Sequence, residues 1–274
     1  MSDALRVLTF NLRLDTTDDG PYAWPYRRDS VGRFLNMFRP GIAGLQEVLP
    51  SMWHDVLARL PETYRLFGEP RLPGDEAVPL LYDTAQVTFL EGGSFWLSKT
   101  PEISGSNDPD AGCVRMSTWG KFARVSNPAT VFRVYNTHLD HLSEAARVRG
   151  FEVIVKMMRQ HHNRQALPIV LMGDFNALPD AVVFQPLLRF NESLDAMWRL
   201  MDVQAGTPAK SRATFHRFKG LATAAIDHIF VSRILGAHTV QVHTTSQGAL
   251  PLSDHHPLSV EIDFSFAPFE AKTS

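Results

Sequence analysis

The sequence predicts an α/β fold in which two β-sheets pack face to face and helices cover their outer sides. Three observations carry this expectation. Short segments with two-residue alternation recur along the chain, most of them bounded by turn residues. A smaller number of segments repeat apolar residues at helical spacing. No Pro/Gly/Ser-rich linker, low-complexity tract or block of like charge separates them. At 274 residues and 44% hydrophobic, the chain can bury a substantial core, and one domain over residues 1–274 is expected.

The elements follow in order. Residues 6–12 alternate, setting Val7, Thr9 and Asn11 on one face of a strand that ends at Asn11. Asp29 is placed to cap a helix bearing Val31, Phe34, Leu35 and Phe38 and stopped by Pro40-Gly41. A short strand over residues 42–48 then carries Gln46 and Glu47. Ser51 caps a second helix, with Trp53, Val56, Leu57 and Leu60 inward and Pro61 at its end. Residues 78–97 read as two strands around a turn at Glu91-Gly92-Gly93. In the strand over residues 130–139, Phe132, Val134, Asn136 and His138 share a face. Val148, Phe151, Val155 and Met158 mark an amphipathic helix from 143 to about 160. Strands over 169–175, 225–231, 239–244 and 258–264 complete the pattern.

Composition excludes several function classes. A formal net charge of −2 supplies no global pull toward a polyanion, so long nucleic acid is not favoured. No apolar run approaches about 18 residues, and the first residues lack a basic segment followed by an apolar one. The expectation is a cytoplasmic protein with no membrane contact and no obligate protein partner. Cys113 is the only cysteine, which excludes an internal disulfide and a thiolate metal cage.

Asn11, Glu47, Asn136, His138, Asp174, Asn176, Asp227, Asp254 and His255 all fall at or just beyond predicted strand ends. Singly, each has an ordinary structural explanation, such as a turn or a solvated side chain. Together they form a set of acids, amides and imidazoles that is costly to bury unless paired or bound to a cation. Metal-assisted hydrolysis of a phosphate ester uses such a set: hard oxygen ligands hold a divalent cation, a carboxylate takes the proton of water, and imidazoles face developing oxyanion charge.

The motifs Thr9-Phe10-Asn11-Leu12-Arg13, Gly44-Leu45-Gln46-Glu47-Val48, Asn136-Thr137-His138-Leu139-Asp140-His141, Gly173-Asp174-Phe175-Asn176, Ile226-Asp227-His228-Ile229-Phe230 and Ser253-Asp254-His255-His256-Pro257 resemble the endonuclease/exonuclease/phosphatase superfamily in content and order. Gly93-Ser94-Phe95-Trp96-Leu97-Ser98 and Thr214-Phe215-His216 further resemble a group of small bacterial members. The resemblance covers nearly the whole chain. It implies a four-layer α/β sandwich with two mixed sheets, and hydrolysis of phosphoesters with Mg²⁺, or Mn²⁺ as a substitute.

Residue by residue, the resemblance implies Glu47, Asn11 and Asp254 as metal ligands. Asp174 is the implied base, with Asn176 holding water or phosphate. His138 and His255 flank the phosphate as imidazolium donors, oriented by Asp227 and Asp254. Asn136 is assigned to substrate binding. His141, His228 and His256 read as scaffolding. One or two ions, and the identity of any general acid, stay open.

Substrate choice is expected in the irregular segments 15–28, 98–119 and 204–223. Arg115 and Trp119 are placed to clamp a phosphate and stack on a base or sugar. Asp18-Asp19 reads as a solvated turn. The chain departs from the superfamily pattern at His228, where Tyr is frequent, and at Asp83, where a basic residue is frequent. No insertion resembles a membrane-binding hairpin or an extra recognition module. The expected substrate is a small phosphodiester or phosphomonoester. A nuclease on short or damaged strands is the alternative within this chemistry, and a non-catalytic scaffold is the alternative outside it.

Overall fold

A computed structural model describes residues 4–244 and 250–264. Its strands form two six-stranded sheets. The first contains β1 (Leu5–Asn11), β2 (Ile42–Gln46), β3 (Tyr64–Phe67), β4 (Leu80–Asp83), β11 (Gly236–Val242) and β12 (Leu258–Asp263), ordered β11-β12-β1-β2-β4-β3. The second contains β5 (Val87–Trp96), β6 (Met116–Arg124), β7 (Val131–His138), β8 (Ile169–Asp174), β9 (Leu200–Asp202) and β10 (Asp227–Ser232), ordered β5-β6-β7-β8-β10-β9. Each sheet is mixed, with one parallel pair, β1 with β2 and β7 with β8. Strands β1 and β2 pack on β7, β8 and β10.

Alternation assigns the faces. Leu5 and Val7 of β1 join Val134 of β7 between the sheets. Leu8 and Phe10 point the other way, against Val31 and Leu35 of α1 (Trp24–Phe38) and Met52 and Val56 of α2 (Pro50–Leu57). On the second sheet, Phe151 and Ile154 of α3 (Glu144–Arg164) and Leu187 and Phe190 of α4 (Gln185–Glu192) close the opposite side. Helix, sheet, sheet and helix give the four layers expected. A single turn, α5 (Ala209–Arg212), lies in the 204–223 segment. No helix among the described residues is long and apolar enough to cross a membrane.

The topology gathers the polar strand ends. In the parallel pairs, Asn11 lies beside Gln46 and His138 beside Asp174. Strands β10 and β12 run antiparallel to their neighbours and so begin at that same edge, with Asp227 opposite Asp174 and Leu258 opposite Thr9.

Several expectations are corrected. The Val78–Leu97 region holds no hairpin around Gly92: β4 turns at residues 84–86 and its successor β5 enters the other sheet. Glu91-Gly92-Gly93 lies inside β5, beside a register shift between Phe89 and Glu91, where glycine marks a bulge rather than a turn. Asp29 lies within α1, which starts at Trp24 with proline in its first turn, and it pairs with Arg59 at 2.7 Å. Helix α2 starts at Pro50, with Leu49 rather than Ser51 before it. Strands β3, β6 and β9 and helix α4 add to the predicted elements.

Candidate active site

Asn11 is fully buried and joins the two sheets' functional ends. Its Nδ2 donates at 3.0 Å to Glu47 Oε1 and at 3.0 Å to Asp174 Oδ2. The two carboxylate oxygens therefore sit no farther apart than twice that distance. Asn11 Oδ1 accepts from Arg13 N at 2.9 Å, which fixes the amide orientation. Glu47 is held in turn: its Oε2 accepts from Leu14 N at 2.9 Å, and its backbone adopts a left-handed φ of 60°, an uncommon conformation for a side-chain-bearing residue.

Asp174 ends β8 at a close crossing. A Cβ on the preceding Gly173, whose φ is 152°, would lie 2.1 Å from Thr137 O, so only glycine lets β8 approach β7 here. Asp174 Oδ1 accepts from Asn176 N at 2.9 Å. His138 Nε2 and His255 Nε2 face Oδ2 at 3.5 and 3.7 Å. His255 Nδ1 sits 2.8 Å from Asp227 Oδ2.

These groups titrate apart for stated reasons. Burial pushes Asp174 up to about 7, against the pull of His255 and with the help of Asp227's charge. Burial alone would keep His255 neutral, but Asp227 and Asp174 together outweigh it and raise His255 to about 10. His138 goes the other way: burial, then the positive charge of Arg115, hold it well below the ordinary histidine range. Where two imidazolium donors are expected from the sequence, the surroundings favour the charged form at His255 and the neutral form at His138.

The other sequence-predicted residues divide. Asn176 lies past the strand, with left-handed φ 47°, and its Nδ2 donates to Leu139 O at 3.1 Å. Asp254 is buried and takes one hydroxyl donor, Ser253 Oγ at 3.2 Å; among the described residues it has no hydrogen bond to either candidate histidine. Asn136 is corrected as a substrate contact, because it is fully buried between the sheets. Its Oδ1 accepts from Gln46 Nε2 at 2.6 Å, and its Nδ2 donates to Leu45 O and Pro79 O at 2.8 and 3.0 Å. Trp119 is corrected as well: it lies in mid-β6 opposite Tyr135, its ring 4.3 Å from that of His161 on α3, away from the cluster. Arg115 does reach the site's rim, 3.3 Å from Glu76 and 3.2 Å from His141. Asp19 is no solvated turn residue, since it pairs with Arg13 at 2.9 and 3.0 Å.

Sequence reasoning missed Arg27, Arg71 and Glu76. Arg27 is fully buried, and its Nη1 donates to Leu12 O at 2.8 Å and Leu252 O at 2.6 Å, its Nη2 to Arg13 O at 3.0 Å and its Nε to Tyr22 O. It thereby pins the segment after β1 to the one before Ser253. No strand alternation or motif marked these residues; a signal was available only in their helical or loop context.

The donors fit a hard divalent cation. Glu47, Asp254 and the second lone pair of Asn11 Oδ1 supply oxygens only. Burial makes the Asp254 carboxylate harder to ionise; His255 opposes this and the charge of Glu47 adds to it.

Residues 8–255 match the model of the Endonuclease/Exonuclease/phosphatase family. The chain belongs to this family. Among solved structures, it is similar to the mannosyl-6-phosphatase of Bacteroides thetaiotaomicron VPI-5482, at 27% identity and TM-score 0.84 over 95% of this chain and 100% of that one. A functionally unknown conserved protein from Enterococcus faecalis V583 is 30% identical, with TM-score 0.83 over 94% of this chain and 99% of that one. The human nocturnin catalytic domain, 16% identical with TM-score 0.73 over 96% and 94%, shares the fold. No curated protein sequence matches significantly. Membership in the endonuclease/exonuclease/phosphatase family supports phosphoester hydrolysis and leaves the substrate open.

Proposed function

We propose that this family member is a divalent-metal-dependent hydrolase of a small phosphomonoester or phosphodiester. The observation that carries this reading is the Asn11 amide, bonded at once to the candidate ligand Glu47 and the candidate base Asp174. Glu47, Asp254 and Asn11 would hold Mg²⁺ or Mn²⁺. When bound, the ion polarises a phosphoryl oxygen and stabilises charge on the departing one.

The chain's own groups do the rest. Asp174, poised at about 7, accepts the proton of an attacking water as its oxygen bonds to phosphorus and the phosphorus–leaving-oxygen bond breaks. Asn11 and the Asn176 N–H hold the carboxylate still. His255 stays protonated through Asp227 and donates from Nε2 to a phosphoryl oxygen, where charge grows. His138 offers one N–H without a charge. The similarity to a mannosyl-6-phosphatase favours a small substrate.

The test is a hydrolysis panel of p-nitrophenyl phosphate, bis-p-nitrophenyl phosphate, sugar phosphates, nucleotides and single-stranded DNA, with Mg²⁺, Mn²⁺ or chelator. Chelator-sensitive release of phosphate or nitrophenol from a small ester is expected. Chelator-resistant turnover overturns the metal role, and preference for the DNA overturns the small substrate.

A further inference from the structure

Arg71 and Arg115 enter one corner beside His138. Arg115 Nη1 lies 3.3 Å from Glu76 Oε1, and Arg71 Nη1 contacts the same oxygen. Asp75 takes Arg71 Nε at 2.9 Å. The remaining partners are not carboxylates: Cys113 Sγ lies 3.3 Å from Arg71 Nη1, and His141 Nδ1 lies 3.2 Å from Arg115 Nη2.

Charge at the corner is matched, but donors are not. Arg115 is 7% exposed and its Nε is buried without a partner. Of the five N–H groups on a guanidinium, the two directed at Glu76 and His141 are met. Unmet buried donors are unfavourable, and an oxyanion satisfies a guanidinium through paired N–H contacts. Asp140 does not compete for them, because Gly112 N, Leu142 N and Ser143 N already donate to it at 2.8, 2.9 and 2.7 Å. Cys113, Asp140 and His141 bring ligand atoms within 4.8 Å of one another. Guanidinium nitrogens against two of those three atoms make the corner unsuited to a cation. His141 is exposed and Cys113 half-buried, so solvent reaches it. Arg115 and Arg71 also oppose the charging of His138.

We propose that Arg71, Arg115 and His141 form a second oxyanion subsite, so that the substrate carries a phosphate or carboxylate group in addition to its scissile phosphate. This rests on the phosphoesterase reading for the place of the scissile group.

The experiment is isothermal titration of the full chain in an Asp174→Asn background with Mg²⁺, using glucose 6-phosphate, glucose 1,6-bisphosphate and 6-phosphogluconate. The two probes with a second anionic group are expected to bind about 10-fold tighter than glucose 6-phosphate, a difference that one charge-assisted contact supplies. In Arg115→Met/Glu76→Gln, which removes the cation with its counter-ion, the ratio is expected to fall towards one. Arg71→Met serves as a second variant should the first melt early. Equal binding of the three probes, no binding by any, or a ratio intact in both variants overturns the subsite. Loss of all three probes in step also overturns it, since the corner would then serve the scissile phosphate. These ratios do not depend on turnover: a failed hydrolysis panel with the ratio intact sinks the activity and leaves the subsite standing.

Discussion

Asp227 Oδ2 holds His255 Nδ1 at 2.8 Å, with both side chains buried. This pair gives a fully enclosed imidazole its carboxylate partner, and it makes the raised titration of His255 depend on Asp227. Asp227→Asn is expected to drop the His255 titration from about 10 toward or below the ordinary value of about 6.5. NMR titration of the ring reads it, and kcat should fall by about 100-fold at neutral pH. An unmoved His255 titration would break the argument.

The same two shifts set a pH profile. In the proposed reaction Asp174 must be ionised to accept a proton, and His255 must be protonated to donate. Metal-saturated kcat/KM is therefore expected to rise through about 7 and fall through about 10. Stability follows the His255 sign: its folded value is raised, so its contribution is whole below about 6.5 and is lost as pH climbs through about 10. Urea unfolding at pH 6, 8 and 10 measures this part.

Asp174→Asn is expected to cut turnover by about 1,000-fold with only a small change in melting temperature, because the one donor left without an acceptor, on Asn11 or Asn176, is offset by the loss of a buried charge. Burial is the largest influence on Asp174, so replacing its carboxylate with an amide removes a desolvation penalty. A variant that melts far earlier than the parent would give Asp174 a structural role instead.

Glu47→Gln should raise the Mg²⁺ concentration for half-maximal activity by about 10-fold, since one of the two proposed carboxylate ligands loses its charge. The new amide oxygen keeps one of the two donors that Glu47 holds, Asn11 Nδ2 or Leu14 N, so the fold is expected to hold by circular dichroism at a small cost in melting temperature. Mg²⁺ titration of activity decides it.

Arg27→Met tests the pin behind the site. Carbonyl oxygens of Leu12, Arg13, Tyr22 and Leu252 lose their donor. The expected cost is about 3 kcal/mol in urea unfolding, at the scale of several buried acceptors left unmet.

Much of this was legible from residue order. Strand ends occupied by Asn11, Glu47, His138, Asp174, Asp227 and His255 announced the cluster, because carboxylates and imidazoles after apolar runs need partners. Alternation also placed Asn136 on the face of His138, yet it could not say how deep that face lies; two strand positions separate a site residue from a fully buried tie between sheets. The glycines in β5 misled for a related reason, since a bulge and a turn use the same residue. Arg71 and Arg27 were invisible because their partners are backbone carbonyls or side chains set by tertiary packing, which no local period encodes.

Strand β12 lies beside β1, and Asp254 and His255 immediately precede it. A ribosome therefore releases Asn11, Glu47 and Asp174 long before the segment that completes their enclosure. During synthesis the nascent polypeptide carries Asn11, Glu47 and Asp174 without their final histidine, so the buried cluster closes only when the last strand docks.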